Sequence, residues 1–326
     1  MPHVRVLTAD RGDAGIRLDR VVLRHLADVG AATRTRVQAW IEDGCIRVNG
    51  VPVRRAASRA AAGDVIAVDL PDPAPRAPMA PEDLTLEILY EDDLLLAVDK
   101  RAGIVVHPSY KHATGTLMNA LLSRARAWPA HERPSIVGRL DKQTTGVVVV
   151  AKGAAAHAAL QRALSSNDSE KDYLAVVYGR VKLRRGAIEL PLAINERERR
   201  RVIVSDGGAP SVTRFERLSR VSAPRVGLSL LRCRLVTGRR HQIRVHLAAR
   251  EWPIVGDPLY GAPRWSEIED PVLASAVRAF PRQALHAWRV AFTHPVTRER
   301  TTIDAPVPRD LANLLSACRL SVPALA

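Results

Sequence analysis

Residues 138–152 read GRLDKQTTGVVVVAK, and the second half of this stretch says most about the architecture. The run Val147–Ala151 is apolar, nearly all β-branched and bounded by a Thr-Thr-Gly turn, which predicts a buried strand. A single carboxylate, Asp141, precedes that strand between Arg139 and Lys142. A lone acid among cations, at the mouth of the most hydrophobic segment, raises the question of what it does there.

Asp141 alone has a purely structural explanation. An aspartate in a polar loop before a strand commonly caps the turn with its own side chain. The alternative is a functional carboxylate held in place by residues elsewhere in the chain. Deciding between the two requires the rest of the sequence.

The composition restricts the class of protein. Lys and Arg number 49 against 34 acids, a net charge of +15, which favours a polyanionic partner, with nucleic acid as the leading candidate. There is no GxxxxGK[ST] or GxGxxG motif for nucleotides, and no metal-ligand spacing among the histidines. Three scattered cysteines predict no disulfide framework and a reducing cytoplasm. Apolar runs fall far short of the roughly 20 residues of a membrane span, and no signal peptide is expected.

Prolines and hydrophobic patterns divide the 326 residues into four predicted segments. These are an N-terminal tail (1–13), a small module (14–71), a proline-rich linker (72–81) and a larger domain (82–326). In the module, IRLDRVVLRHLADVG predicts a helix, and TRTRVQAWIEDG a second helix capped by Thr33 or Thr35. CIRVNGVPV predicts a hairpin that turns at Asn49-Gly50, and AAGDVIAVDL a closing strand.

The larger domain is predicted to be α+β. YEDDLLLAVDKRAGIVVHPS indicates a strand over 94–99, a break at Gly103 and a second short strand. GTLMNALLSRARAW and GAAAHAALQRALSS indicate helices, whereas KDYLAVVYG, SVTRFERLSR, GLSLLRCRLV and HAWRVAFTH indicate strands. Runs of strands with occasional helices favour a mixed, mostly antiparallel sheet flanked by helices and loops.

The order RLDRVV, TRTRVQAWIEDGCIRVNG, GDVIAV in the small module resembles the S4 domain, an RNA-binding module. The resemblance implies that a basic face formed by Arg34, Arg36, Arg54 and Arg55 binds RNA. The alternative for these arginines is an ordinary solvated surface.

Six stretches across the larger domain resemble the RluA-type pseudouridine synthases. They are VDKRAGIVVHPS, GRLDKQTTGVVVVAK, KDYLAVVYG, TGRRHQIRVHLA, GDPLYG and LHAWRVAFTHP, in that order. With the S4-like module, the chain is most similar to the RluD-type enzymes of large-subunit ribosomal RNA. The resemblance implies a pseudouridine synthase fold and isomerisation of specific uridines to pseudouridine. It also implies no metal or other cofactor, and monomer is the default state.

The resemblance also assigns roles to residues. Asp141 becomes the catalytic nucleophile or base in a site that excludes water. Arg244 pairs with it, because a guanidinium keeps a desolvated carboxylate charged. Tyr173 packs against the target uracil and assists proton transfer at C5; otherwise it is an ordinary strand tyrosine. Arg139 fills the space left by the flipped base, or else contacts a phosphate.

Further residues are expected around this centre. Ile243 and Leu247 form an apolar wall of the pocket, although plain core packing would give the same pattern. The predicted phosphate contacts are Lys142, Lys152, Arg239 and Arg240.

Two other functions stay open on the sequence alone. One is a non-catalytic S4-type RNA-binding or ribosome-assembly protein, which the intact Asp141, Arg139, Tyr173 and Arg244 argue against. The other is the same reaction on transfer RNA. The S4-like module favours ribosomal RNA over transfer RNA, but only by fold-level analogy.

Overall fold

A computed structural model describes residues 3–26, 32–70, 79–108, 112–129, 132–221 and 226–322. The chain forms two compact units, Met1–Pro78 and Met79–Ala326, and each is described by itself. Most of the predicted proline-rich linker 72–81 lies outside the described residues. No helix among the described residues is long and apolar enough to cross a membrane.

The N-terminal unit packs two helices on a four-stranded antiparallel sheet of order β1-β4-β2-β3. Its elements are β1 His3–Thr8, α1 Leu18–His25, α2 Arg34–Glu42, β2 Ile46–Val48, β3 Val51–Pro52 and β4 Val65–Leu70, with a short 3-10 helix at Arg11–Asp13. The Thr33 hydroxyl caps α2 by accepting from the Arg36 N–H. Asn49 and Gly50 both have positive φ (51° and 82°), as the predicted hairpin turn requires.

The prediction of a tail over residues 1–13 is wrong for residues 3–8. These form β1, which pairs along its whole length with β4, from His3 opposite Leu70 to Thr8 opposite Val65. Local sequence does not predict this strand, because its hydrogen-bonding partner β4 is distant along the chain. The unit's core contains Leu18 and Val22 of α1 and Ile41 of α2, all essentially buried.

The larger unit is built on a ten-stranded sheet with the path β10-β13-β14-β9-β15-β8-β6-β5, in which β16 also pairs with β15 and β7 with β8. Its strands are β5 Glu87–Glu91, β6 Leu95–Lys100, β7 Pro134–Val137, β8 Thr145–Lys152, β9 Glu170–Tyr178, β10 Arg185–Glu189, β11 Leu192–Ile194, β12 Val202–Val204, β13 Val212–Val221, β14 Leu228–Leu235, β15 Leu285–Thr293 and β16 Arg300–Asp304. Its helices are α3 Leu117–Arg124, α4 Ala154–Ser165, α5 Gln242–Ala249, α6 Pro271–Ala279 and α7 Arg309–Ala317, with 3-10 turns at Ala125–Ala127 and Trp265–Glu267. Strands β11 and β12 form a separate hairpin. Among the described residues only β8 and β15 pair in parallel, so the predicted α+β class with a mixed, mostly antiparallel sheet is confirmed.

The valine run forms β8, and both of its faces are covered. Val147 and Val149 pack with Leu160 of α4, whereas Val148 and Val150 belong to the core on the other face. Burial on both sides explains why the sequence does not alternate between apolar and polar residues. Each buried valine contributes roughly 1.5–3 kcal/mol, so β8 is a rigid support for the loop that precedes it.

Gly146 allows β8 to pair with β15 directly after that loop. Its φ is +111°, and a Cβ at this position would lie 2.0 Å from the carbonyl oxygen of Ala287 on β15. No side chain fits between the two backbones, so this position requires glycine.

Residues 104–108, the described part of the segment after Gly103, form no strand, so the prediction of a second short strand there is wrong. The carbonyls of Val105 and Val106 accept from the N–H groups of Leu117 and Met118, at the start of α3. The apolar segment therefore satisfies the unpaired donors of a helix N-terminus instead of joining the sheet.

Candidate active site

A cavity of about 210 Å³ opens beside the loop that precedes β8. Five of the residues assigned to the site from sequence line it together: Arg139, Asp141, Tyr173, Ile243 and Arg244. They come from the loop, from β9 and from α5, and Asp141 and Arg244 lie 103 positions apart in the chain. The fold thus brings residues from distant motifs into one cavity.

The Asp141 carboxylate bonds to an arginine, and not to its own turn. Its Oδ2 accepts from Nη1 of Arg244 at 2.8 Å. The turn is closed by the backbone, where the Thr144 N–H donates to the Asp141 carbonyl at 3.0 Å. Among the described residues no turn N–H donates to this carboxylate, so the turn-capping explanation is wrong.

Arg244 is only 4% exposed and bridges two carboxylates. Its Nε and Nη2 donate to the two oxygens of Asp257 at 2.7 and 2.8 Å, while Nη1 is left for Asp141. Backbone N–H groups of Leu259 and Tyr260 also donate to Asp257, at 2.9 and 3.1 Å. Burial disfavours the guanidinium charge, but hydrogen bonds and the charges of both carboxylates outweigh it and raise the pKa of Arg244. Bidentate pairing fixes the plane of the guanidinium.

His241 lies on the other side of the Asp141 carboxylate. Its Nε2 is 3.6 Å from Oδ1 of Asp141, and its Nδ1 is 2.8 Å from the hydroxyl of Tyr260. Burial lowers the pKa of His241 to about 4, although the charge of Asp141 opposes this shift. The imidazole is therefore neutral near pH 7.

Tyr173 presents a protonated phenol to the cavity. It lies on β9 opposite Cys233 of β14 and Ala287 of β15. Burial, helped by the negative charge of Asp141, raises the pKa of Tyr173 far above its usual value. Its hydroxyl can donate a hydrogen bond at neutral pH, whereas a phenolate is not available there.

Two buried cationic side chains hold the loop after Asp141 through hydrogen bonds to its backbone. Lys100 donates from Nζ to the Lys142 carbonyl at 3.0 Å, and burial lowers the pKa of this lysine to about 8. Arg282 donates to the Gln143 carbonyl at 3.3 Å. Because both contacts are to backbone atoms, they fix the direction of the loop whatever its side chains are.

The structure separates the two residues of the predicted apolar wall. Ile243 lines the cavity, but Leu247, one helical turn later on α5, is fully buried in the main core. The assignment of Leu247 to the wall is therefore wrong. Both residues lie on the buried side of α5, and only the three-dimensional position of the cavity along the helix distinguishes them.

Two of the four predicted phosphate contacts already have partners within the protein. Lys152 is mostly buried, with Nζ 3.0 Å from Glu91 and over the ring of Trp128, so the prediction for Lys152 is wrong. Arg240 donates from Nη1 and Nη2 to the carbonyls of Arg199 and Arg200 and also lines the cavity, and its contact with RNA stays a prediction.

The other basic residues lie on the surface. Lys142, Arg139 and Arg239 are exposed, and Arg139 and Arg239 line the cavity. In the N-terminal unit, Arg34, Arg54 and Arg55 are exposed and Arg36 is partly exposed. Arg34 also contacts Asp19, and Arg54 donates to the Glu42 carbonyl. RNA contacts by these seven residues stay predictions.

Sequence reasoning missed Asp257, Tyr260, His241 and Lys100 as parts of the site. Asp257 and Tyr260 belong to GDPLYG, a motif whose sequence alone assigns no role to either residue. A physical argument could have found Asp257, since an arginine buried beside one carboxylate needs further acceptors for its remaining donors. No pattern in the sequence points to His241 beside Asp141.

Two family models match the chain. "RNA pseudouridylate synthase" matches residues 94–249 and "S4 domain" matches residues 16–66. Several relatives carry the name ribosomal large subunit pseudouridine synthase D. The protein from Xanthomonas campestris is 40% identical over 94% of this chain and 90% of its own length. Those from Xylella fastidiosa (40%, over 97% and 92%) and Pseudomonas aeruginosa (38%, over 94% and 92%) are similar to the same extent.

Solved structures resemble the larger part of the chain. Human RNA pseudouridylate synthase domain containing 4 superposes with a TM-score of 0.56 over 73% of this chain and 94% of its own, at 22% identity, which shows the fold. Human RNA pseudouridylate synthase domain containing 1 gives 0.54 over 72% and 87%, at 26% identity.

Proposed function

The chain belongs to the RNA pseudouridylate synthase family, and we propose that its substrate is large-subunit ribosomal RNA. As an RNA pseudouridine synthase it breaks the bond between N1 of uracil and the ribose, turns the base and rejoins it through C5. The hydrogen on C5 leaves as a proton and N1 gains one, so the reaction is an isomerisation.

The observation that supports the proposed centre is the Asp141–Arg244–Asp257 chain of ion pairs at the cavity. Asp257 takes Nε and Nη2 of Arg244 and aims the remaining Nη1 at Asp141. A guanidinium at this distance offsets part of the cost of desolvating a carboxylate when a substrate excludes water from the cavity. We assign to Asp141 the role of nucleophile or base, and to Arg244 that of its counter-ion.

A stacked base cannot reach the cavity, so the target uridine has to be flipped out, at a cost of a few kcal/mol. Arg139 is exposed, lines the cavity and lies two residues before Asp141, which suits it to occupy the vacated place in the RNA stack. The Tyr173 ring then packs against the flipped uracil. Both roles are assigned from position and chemistry.

The choice of ribosomal RNA is supported by the names of the relatives and by the S4 match. The charge of +15 suits a large polyanion, and Lys142 and Arg239 provide exposed cations beside the cavity. The exposed arginines of the N-terminal unit are assigned to the same RNA. We place the protein in the cytoplasm, where ribosomes are assembled, and expect it to act as a monomer.

The test offers the purified protein three unmodified RNAs: large-subunit ribosomal RNA, small-subunit ribosomal RNA and a transfer RNA mixture. Pseudouridines are mapped by carbodiimide adducts that stop reverse transcription. Modification of discrete sites in the large-subunit RNA alone is the expected result. Modification of transfer RNA alone would contradict the proposed substrate but support the reaction. RNA binding without modification would favour a non-catalytic assembly role.

A further inference from the structure

We propose that His241 is a positioning residue for the catalytic carboxylate, acting through a single N–H aimed at the oxygen of Asp141 that Arg244 leaves free. The inference rests on the proposed role of Asp141. It adds a residue to which the sequence analysis assigns no role.

The two oxygens of the Asp141 carboxylate have different surroundings. Oδ2 is bound to Arg244 at 2.8 Å, whereas Oδ1 has His241 Nε2 at 3.6 Å. That distance is longer than a hydrogen bond. The lone pairs of Oδ1 are therefore available to the substrate, and the His241 ring lies close enough to reach Oδ1 after a small movement.

Tyr260 determines which nitrogen of His241 carries the proton. The Tyr260 hydroxyl accepts from the Val202 N–H at 2.9 Å and contacts His241 Nδ1 at 2.8 Å. These are its two hydrogen-bond partners among the described residues. Because the Val202 N–H is itself a donor, the phenolic proton has only Nδ1 of His241 as an acceptor. The imidazole proton is then on Nε2, which faces Asp141.

Burial keeps the His241 imidazole neutral, helped by the charges of Arg244 and Arg240 and opposed by those of Asp141 and Asp257. The imidazole is faced by Arg240, Arg244 and Tyr260 as well as by Asp141 and Asp257, and it is largely buried. Asp141 is itself faced by Arg244, by Tyr173 and by the charge of Lys100. His241 can therefore orient the carboxylate as a neutral donor, and it does not have to act as an acid.

The backbone at His241 is fixed by neighbouring side chains, which holds the imidazole beside Asp141. It adopts a left-handed conformation (φ 54°, ψ 16°) directly before α5, a region that few residues other than glycine occupy. The turn is held by the Gln242 side chain, which accepts from the Arg239 N–H at 3.0 Å and from the Thr237 hydroxyl at 2.8 Å. Strain of this kind persists where the surrounding structure enforces it, often at functional sites.

The proposed action is a small movement on substrate binding. When the uridine enters and water leaves, the 3.6 Å gap closes to hydrogen-bond length and fixes the rotation of the carboxylate. Oδ1 is then held where it meets the ribose or the base. Without the donor, the carboxylate pivots about its single bond to Arg244 and is more easily protonated.

The test compares His241→Gln with His241→Asn. The glutamine Nε2 can reach the position of the histidine Nε2, whereas the asparagine amide reaches only that of Nδ1; asparagine, however, tolerates the left-handed backbone best. We expect His241→Asn to lower kcat about 10- to 100-fold, the range expected for loss of a hydrogen bond to a charged group. KM should change by less than about threefold. The acidic limb of its kcat/KM profile should move to higher pH, and His241→Gln should recover at least tenfold in kcat.

A matched control is His157→Asn, which makes the same change at a half-buried histidine of α4 that bonds to Ser135. This variant should keep wild-type kcat. Equal kcat values for the Gln and Asn variants, or an unmoved acidic limb, would overturn the proposal for His241. Absence of turnover in wild type would instead remove the proposed function on which it rests.

A second variant covers the case in which both His241 variants unfold. Tyr260→Phe removes the hydroxyl that sets the tautomer but keeps the ring that packs near Arg244. An intermediate fall in kcat with unchanged RNA affinity is expected. A wild-type kcat for a folded Tyr260→Phe would contradict the tautomer argument.

Discussion

Asp257→Asn should damage both stability and turnover, because Asp257 anchors the guanidinium that holds the catalytic carboxylate. The Asp257 side chain is fully buried and Arg244 is 4% exposed. Its Oδ1 accepts from Arg244, Leu259 and Tyr260, and its Oδ2 from Nε of Arg244. An asparagine must place an NH₂ group against one of these donors. The substitution therefore removes the negative charge and also leaves two N–H donors facing each other.

Removing one partner of a buried ion pair costs about 3–5 kcal/mol. For a unit of this size each kcal/mol lowers the Tm by about 2–4 °C, so the expected fall is about 6–20 °C. Turnover should fall about 100-fold, since a displacement of about 1 Å in a positioning group has an effect of that order. Differential scanning calorimetry and single-turnover kinetics measure the two effects separately.

Asp304→Asn is the matched control. Asp304 makes a similar bidentate contact with Arg289, but the two side chains are 31% and 22% exposed. An exposed pair contributes about 0–1 kcal/mol, so this variant should lose at most about 4 °C and keep its turnover. If Asp257→Asn lost no more Tm than Asp304→Asn and kept wild-type kcat, the proposed anchoring of Arg244 would be refuted.

Three further predictions concern the support of the site and its RNA. His286 is fully buried, with Nδ1 2.9 Å from the Thr145 hydroxyl and Nε2 3.3 Å from the Ala305 carbonyl, and burial lowers the pKa of His286 to about 4. Between pH 6.5 and 4 the unfolded chain binds the extra proton, so Tm should fall as pH decreases through this window, and less steeply in His286→Gln; equal slopes would contradict the assignment. Gly146→Ala places a Cβ 2.0 Å from the Ala287 carbonyl and should prevent folding of the larger unit, whereas Gly207→Ala, with open space around it, should fold normally; circular dichroism of a soluble, folded Gly146→Ala protein would disprove the need for glycine. Arg239→Gln should weaken RNA binding equally for all sequences and reduce the salt slope of log K by about 1, and an unchanged slope in filter binding would exclude a phosphate contact.

Local pattern was enough for much of the fold. The β8 strand, the α4 helix and the Asn49-Gly50 hairpin each follow from spacing or turn chemistry within a short stretch of chain. The β1 strand does not, since its partner β4 is distant in sequence. The segment after Gly103 looked like a strand because composition indicates extended backbone but not which groups its carbonyls will bind.

Some residues of the candidate site could be predicted from the sequence, and others could not. Asp141, Tyr173 and Arg244 were identified because their motifs resemble a family, and no spacing rule could have brought together residues 103 positions apart. The resemblance did not supply Asp257 as the anchor of Arg244 or His241 beside Oδ1, since these depend on where loops of the folded chain meet. Ile243 and Leu247 show the limit most simply, because helical spacing puts both on the buried side and the cavity reaches only one.

Tritium release tests the catalytic role of Asp141, with large-subunit ribosomal RNA labelled at C5 of uracil and wild type beside Asp141→Asn. Formation of the new bond at C5 expels the label, and Asp141→Asn keeps nearly the same shape without the charge. The account predicts stoichiometric release by wild type and none by Asp141→Asn, with RNA affinity unchanged within a few fold. Release by Asp141→Asn at the wild-type rate would contradict it.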